Sequence, residues 1–403
     1  MKLAVISLKK SWADPSRPGH FVTVGGFPQQ MAALSALFSE TVLYLPQLRG
    51  APPPNAAPLA GHNLRVQPLS PLPERGWRRK LSQATWLPRN LGLLWRGIRA
   101  ADAVHTPVPG DVATVGLLLA LAQRKRLFVR YCTVWGRKYS LTARFLLWLL
   151  ERVAGGRNVV MATGGAASPP SARNPNITWI FSTSLTAAAW QALPQAVPWQ
   201  RGSTVRLISV GRVEPVKNLA ALLQALPAIR QVYPHLHLDV VGEGTALPGL
   251  RQQAAALGLD EVITFHGNLG HQAVLGLLGT AHIYLMPSLV EGFPKALLEA
   301  MACGLPAVAT AVSVIPRLVG TSGVLLPEPT PAAIAAAVTS LLADDARLAA
   351  MGRAARAASQ QYTLEGWQQV IGERLAEVWG EEMGRGLVNN QQSTANNQRR
   401  NTL

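Results

Sequence analysis

Two short stretches carry the residue types that phosphate and sugar chemistry needs. The first is Val210-Gly211-Arg212-Val213-Glu214-Pro215-Val216-Lys217-Asn218. Gly211 permits a tight exit from a strand. A helix opening here offers unpaired amides and the positive end of its dipole. Arg212 adds a flat guanidinium that can grip two oxygens, and Lys217 adds a point charge. Together they could neutralise a diphosphate without a metal. Two exposed basic residues on a loop remain the plain alternative, because short motifs often match by chance. The second stretch is Glu291-Gly292-Phe293-Pro294-Lys295-Ala296-Leu297-Leu298-Glu299. Pro294 suits a first helical turn, so Glu291 falls in the loop before the helix and Glu299 two turns in. That spacing lets both carboxylates face one side of the helix start. Carboxylates accept hydrogen bonds from sugar and ribose hydroxyls. The loop amides can take an anion or polar ring substituents.

The elements around these stretches alternate. In the first half, residues 2–8, 41–45, 103–105, 127–131 and 158–162 read as strands separated by helical stretches such as 29–38. The proline-rich stretch 51–73 shows little periodicity and reads as a surface loop. Pro194–Ser203 breaks the pattern and suits a linker. A second series then gives strands at 205–210, 237–241, 262–265, 282–286 and 307–310. Its helices fall at 218–232 (interrupted by Pro227), 250–257, 271–278, 294–302, 331–343 and beyond Asp345. A last helix covers 364–378, and the polar residues from Gly384 onward read as a disordered tail. Alternation of this kind predicts an α/β protein with two parallel sheets. Ligands bind beyond the carboxyl ends of such sheets, and two sheets facing each other leave a cleft.

In order along the chain, VGRVEPVKNL, VVGEGTALPGL, FHGNL and MPSLVEGFPKALLEAMACGLPAVAT resemble the C-terminal domain of retaining glycosyltransferases of the GT-B fold, family 4, also called group 1. The resemblance covers about residues 204–345. It implies two Rossmann-like α/β domains facing across a cleft. The expected division is an acceptor-binding domain over 1–200 and a nucleotide-sugar donor domain over 201–360. A helix over 361–383 would cross back to the first domain, followed by the tail 384–403. Arg212 and Lys217 match the pair that contacts the diphosphate, and Gly211 lies beside them. Glu299 matches the residue that holds the ribose hydroxyls. Glu291 matches the one near the donor sugar, with the amides of Gly292 and Phe293. Gly242 and Gly244 line the nucleotide side, Leu269 lies near the base, and Gly25-Gly26 looks like the glycine loop of the first domain. The implied reaction moves a hexosyl group from a UDP- or GDP-linked sugar to an acceptor hydroxyl with retention of configuration. The donor is a substrate, and no cofactor or metal is expected, since no Asp-x-Asp motif occurs.

The first half departs from the family pattern. Arg130-Tyr131-Cys132-Thr133 stands where a Phe-His-Thr-like setting is usual, so Cys132 takes the histidine's place. His105 matches a different family histidine at a strand end. A buried structural His105 and a core thiol at Cys132 are the plain readings of both. These departures keep open a catalytically silent nucleotide-binding subunit. A nucleotide-sugar epimerase of similar fold is a further alternative, which the Glu291/Glu299 context opposes.

Composition bounds the rest. At 403 residues the chain has room for two domains. An apolar share of 48% against 15% charged residues excludes a disordered chain. Cys132 and Cys303 are too few for a disulfide framework or a four-cysteine zinc site. No signal peptide and no apolar run of about 18 residues is evident. The net charge is +17, and all of it lies in residues 1–200, with 23 Lys+Arg against 6 Asp+Glu. An anionic partner is therefore expected for that half. Residues 73–100 mix seven basic residues with Trp77, Trp86 and Trp95, as in a segment lying among lipid headgroups. A solvated basic face over buried leucines is the alternative. Zinc-finger spacing and aromatic RNP-type strands are absent, so nucleic acid is not the expected partner. The expected acceptor is a carbohydrate or lipid-linked sugar in cell-surface polysaccharide or glycolipid synthesis. The expected location is cytoplasmic and peripheral on the membrane's cytoplasmic face.

Overall fold

The computed structural model describes residues 1–71, 77–137, 140–165, 168–197 and 199–380, and of residues 77–84 the backbone alone. The expected tail from 384 and the basic residues Arg75, Arg78, Arg79 and Lys80 therefore lie outside the described side chains.

The first unit contains β1 (Lys2–Ile6), β2 (Trp12–Ala13), β3 (Phe21–Val24), α1 (Phe27–Ser35), β4 (Glu40–Pro46), β5 (Ala56–Pro58) and β6 (Leu64–Leu69). It continues through α2 (Trp77–Ala100), β7 (Ala103–Val108), α3 (Asp111–Ala122), β8 (Arg126–Val134), α4 (Leu141–Val153), β9 (Asn158–Gly164) and β10 (Ile177–Trp179). Its main sheet runs β10-β9-β8-β7-β1-β4-β6, with β8 through β6 parallel and β9 parallel to β10. Successive residues of KLAVI and RLFVRY are buried, as in strands covered on both faces. The helices α2, α3 and α4 pack on one face through Leu94, Ile98, Leu117, Leu146 and Leu150. Gly97 and Gly116 allow that approach: a Cβ at Gly97 would lie 2.0 Å from Tyr44 Oη, and one at Gly116 2.7 Å from Ile6.

The stretch 51–73 is not only loop. It supplies β6 at the sheet edge and β5, which pairs with β3 in a small antiparallel sheet with β2. An edge strand tolerates prolines such as Pro68, because its outer N–H groups have no ladder partner to lose.

The second unit contains α5 (Ala187–Gln191), β11 (Val205–Val210), α6 (Leu219–Val232), β12 (Leu236–Val241), α7 (Leu247–Ala256), β13 (Ile263–Gly267), α8 (His271–Thr280) and β14 (Ile283–Met286). It continues with α9 (Lys295–Ala302), β15 (Ala307–Thr310), α10 (Ile315–Val319), β16 (Gly323–Leu326), α11 (Pro331–Leu342) and α12 (Asp345–Ser359). Its sheet runs β13-β12-β11-β14-β15-β16, again all parallel. Helices α6 and α11 pack on it through Leu222, Leu223, Leu226, Val338 and Leu341, all fully buried. Burying each such side chain contributes about 1.5–3 kcal/mol. Pro227 sits within a continuous α6 instead of interrupting it.

The chain divides between Ser184 and Leu185, not near residue 200. Residues 185–200 pack with the second unit: Ala196 N–H donates to Cys303 O at 2.7 Å, and Trp199 joins that core. The last helix, α13 (Leu364–Trp379), belongs to the first unit, with Trp367 buried beneath Arg130 and Trp379 Nε1 donating to Arg157 O at 2.8 Å. No helix among the described residues is long and apolar enough to cross a membrane.

Candidate functional site

The strand order of the second sheet reverses between β11 and β14. Open parallel sheets bind ligands beyond the carboxyl ends of their strands at such a point. Both chemistry-bearing stretches leave the sheet there. Residues 211–218 follow β11, and residues 287–294 follow β14.

The two loops are tied to each other. Leu289 N–H donates to Val216 O at 2.8 Å, and Lys217 Nζ forms an ion pair with Glu291. Glu291 is buried and Lys217 half-buried, whereas Arg212 is exposed. Gly211, Arg212, Lys217, Pro287 and Ser288 line a narrow cleft at this junction.

Two helices start here without side-chain caps. Asn218 precedes α6, but it adopts a left-handed conformation (φ +54°), and its Nδ2 donates to Pro329 O at 3.1 Å. Pro294 is the residue before α9, one position earlier than a first-turn proline, and has no cap to offer. By contrast, Thr330 caps α11 and Asp344 caps α12 through hydrogen bonds of 3.2 and 2.9 Å. The opening amides of α6 and α9 therefore have no side-chain cap, and neither helix carries an acid in its first turn.

Glu299 lies in α9, half-buried, and its Oε1 meets His271 Nε2 of α8 at 3.3 Å. The hydrogen bond to Glu299 raises the His271 pKa, against a lowering by burial. Tyr284 of β14 lies beneath the junction and donates to Val210 O at 3.0 Å. Burial first, then the charges of Glu291 and Glu299, push its hydroxyl far above the ordinary tyrosine range. One buried phenol thus senses both carboxylates. His271 and Tyr284 escaped the sequence reading. His271 stands only three residues after the FHGN segment, which was the available signal.

Gly242 and Gly244 have a structural reason to be glycine. A Cβ at Gly242 (φ +130°) would lie 1.9 Å from Gly211 O, and one at Gly244 2.2 Å from Val213 O. The loop after β12 is pressed onto the loop after β11, and Val213 N–H donates to Glu243 O at 2.8 Å. Leu269 is half-buried between β13 and α8, and Gly292 O accepts from Ser313 Oγ at 3.3 Å. Phe293 follows Gly292, half-buried. Among the described residues, no group of three or more His, Cys, Asp or Glu side chains is spaced to hold a metal ion.

Gly25 and Gly26 belong to the first unit, where they open α1. Gly25 needs its φ of +74°, and a Cβ there would lie 3.8 Å from Lys9 Nζ. His105 is fully buried against Phe128, with ring centroids 4.4 Å apart. Its Nδ1 meets Phe128 O at 2.8 Å, and Arg130 Nε donates to its Nε2 at 3.3 Å. Burial and the Arg130 charge hold its pKa well below the ordinary histidine value. Cys132 is exposed, which overturns its reading as a core thiol. Tyr131 takes the inward place at the end of β8 and the strand's alternation turns Cys132 outward.

Residues 200–358 match the family model described as "Glycosyl transferases group 1". Over these residues, under half of its length, the chain is similar to the group 1 glycosyltransferases. A glycogen synthase of Mycobacterium tuberculosis is 34% identical over 202 residues, which is 50% of this chain and 47% of that protein. A GDP-mannose-dependent alpha-(1-6)-phosphatidylinositol monomannoside mannosyltransferase of Mycolicibacterium smegmatis is 34% identical over 182 residues, 43% of this chain and 47% of that protein. The chain thus spans about half the length of the curated relatives it matches. Among solved structures, Anabaena Alr3699/HepE in complex with UDP aligns with a TM-score of 0.68 at 19% identity, covering 94% of this chain and all of that one. WaaG, a glycosyltransferase involved in lipopolysaccharide biosynthesis, aligns with a TM-score of 0.59 at 15% identity over 93% and 99% of the two chains. The chain shares the GT-B fold of these structures.

Proposed function

We propose that this protein transfers a hexosyl group from a nucleoside-diphosphate sugar, UDP- or GDP-linked, to an acceptor hydroxyl with retention of anomeric configuration. The observation that supports it most is the junction beyond β11 and β14, where Arg212, Lys217 and two helix starts without side-chain caps converge. Departure of the diphosphate leaves negative charge on its terminal oxygen. Arg212, Lys217 and the opening amides would stabilise that charge without reorganising. In the free protein Lys217 pairs with Glu291, so an arriving phosphate draws the ammonium and leaves the carboxylate toward the sugar. A carboxylate there would favour the positive charge that grows on the sugar ring. Glu299 would accept the ribose hydroxyls, fixed by His271 on its other side. The departing phosphate oxygen would take the acceptor's proton on the face it leaves, which keeps the configuration. Gly211, Gly242, Gly244, Leu269, Gly292 and Phe293 complete the donor surface, and Gly25 and Gly26 serve the first unit's side of the reaction. The acceptor would be a carbohydrate or lipid-linked sugar in cell-surface polysaccharide or glycolipid synthesis. The protein would act in the cytoplasm.

A thermal-shift series with UDP, GDP and ADP tests the placement. At a hundredfold excess over Kd, binding adds about 2.7 kcal/mol of stability. Arg212→Ala and Glu299→Ala should each lose the shift, and a full shift in both variants rejects the site. A second reading is supported by His105, whose two ring nitrogens are both engaged in a sealed position. On that reading the protein binds nucleotide without transferring sugar. Magnetic resonance of donor with candidate acceptors separates the two, since only an enzyme yields a new anomeric signal.

A further inference from the structure

The helix α4 is amphipathic twice over. Its inner side places Leu146, Leu147 and Leu150 in the core of the first unit. Its outer side carries Leu141, Phe145 and Trp148, which are 80%, 45% and 52% exposed. The 3.6-residue turn lines these three up on one stripe. The rings of Phe145 and Trp148 are 5.9 Å apart, so they form one continuous apolar surface. Arg144 and Arg152, both exposed, lie on the same side. The only acid of the helix is Glu151, whose carboxylate is taken by Ser171 at 2.9 Å and Arg173 at 3.5 Å.

A second stripe stands on the same layer of helices. Leu87, Leu91 and Trp95 of α2 recur every four residues and are exposed, as is Leu118 of α3. Arg89, Arg96 and Arg99 are exposed on α2, and α2 contains no acid at all. Large apolar side chains exposed together mark a surface that something covers.

We propose that this helical layer, led by the outer stripe of α4, docks on an anionic lipid bilayer. Trp, Phe and Leu would enter the headgroup boundary, while the arginines meet lipid phosphates. The charge pattern selects this occupant over a second copy of the chain. A symmetric pairing of the same faces would set Arg144 and Arg152 against their own copies with no carboxylate between them. The membrane contact expected at residues 73–100 thus extends to α4. It does not depend on the donor site, which belongs to the other unit.

The test uses the full chain in flotation assays with phosphatidylcholine vesicles, with or without about 30% phosphatidylglycerol. The expected result is at least tenfold stronger binding to the anionic vesicles at 0.1 M salt, reduced several-fold at 0.5 M salt. The triple variant Leu141→Ser/Phe145→Ser/Trp148→Ser should lose binding tenfold or more. Arg144→Glu/Arg152→Glu should abolish the preference for phosphatidylglycerol. Both variants should keep the nucleotide-induced thermal shift, so a failure here is distinct from a failure of the donor site. Should the triple variant misfold, Leu141→Ser alone, at the most exposed position, is expected to weaken binding about threefold. Equal binding to both vesicle types, or wild-type binding by folded α4 variants, overturns the proposal. So does a wild-type dimer that the triple variant turns into a monomer.

Discussion

Two cations, one in each unit, are held in opposite ways. Lys217 is half-buried at the end of a parallel sheet, and its partner is a carboxylate, Glu291. Arg130 is wholly buried, and among the described residues no carboxylate pairs with it. Its Nε donates to His105 Nε2, its NH1 donates to Gln30 Oε1 at 3.3 Å, and its guanidinium lies 4.9 Å from the ring centroid of Trp367. Gln30 in turn donates to Thr183 O at 2.8 Å. Burial lowers the Arg130 pKa, because desolvation disfavours the charged form. The Lys217 cation sits near solvent with a charged partner, as the proposed exchange for a phosphate requires. A cation enclosed by neutral acceptors and a π-face has nowhere to go and joins four elements of the first unit: α1, β7, β8 and α13. The same contrast covers the histidines: His271 is drawn toward protonation by Glu299, and His105 is driven away from it by burial.

The largest effect that would break this contrast is on stability. Arg130→Ala removes one partner each from His105 Nε2 and Gln30 Oε1 and empties a packed volume against Trp367. A loss of about 2–4 kcal/mol is expected in chemical denaturation, from the cavity and the buried polar atoms left without a partner. A cost below about 1 kcal/mol would show the cluster to be incidental. Lys217→Ala should act on catalysis instead. It should lower the transfer rate about a hundredfold or more, the loss typical of one removed oxyanion donor, with a smaller stability cost of about 1–3 kcal/mol from the unpaired Glu291. Unchanged turnover would remove Lys217 from the departing diphosphate.

The pH dependence sharpens the comparison with the smallest effect. The folded pKa of His271 is raised, so its contribution is fully present below about pH 6.5. It is lost as pH rises through the folded value. His105 and His282 are shifted the other way, His282 down to about 4 by burial and Arg206. The unfolded chain then binds more protons, and stability falls as pH drops below about 6.5. Melting temperature against pH should therefore decline toward acid through His105 and His282. His271→Gln should flatten only the change above neutrality. An unaltered alkaline limb in that variant would show that the Glu299 contact carries no proton linkage.

Much of the second unit was legible because its signals are local. A strand, a glycine, two basic residues and a helix start lie within nine positions of the first stretch, and two carboxylates lie within nine of the second. The first unit was legible only in its alternation. Its edge strand β6 contains Pro68 and lacks periodicity, and Arg130 looked like one more basic residue beside Cys132. The seam also escaped: residues 194–203 carry linker residues, yet Trp199 and the amides of Ala196 and Val197 are stitched into the second unit.

Composition and spacing alone therefore determined that there would be two parallel sheets, where the two loops of basic and acidic residues lie, and which half carries the charge. Those properties follow from neighbours in the chain. Only the tertiary structure decided that Lys217 meets Glu291, that Glu299 meets His271, that Arg130 is enclosed while Cys132 is exposed, and that α4 shows an apolar stripe to solvent. Each of these depends on residues that are close in space and up to hundreds of positions apart in sequence. Burial and desolvation, which decide whether a charge is an exchangeable contact or a fixed strut, exist only once the chain has folded.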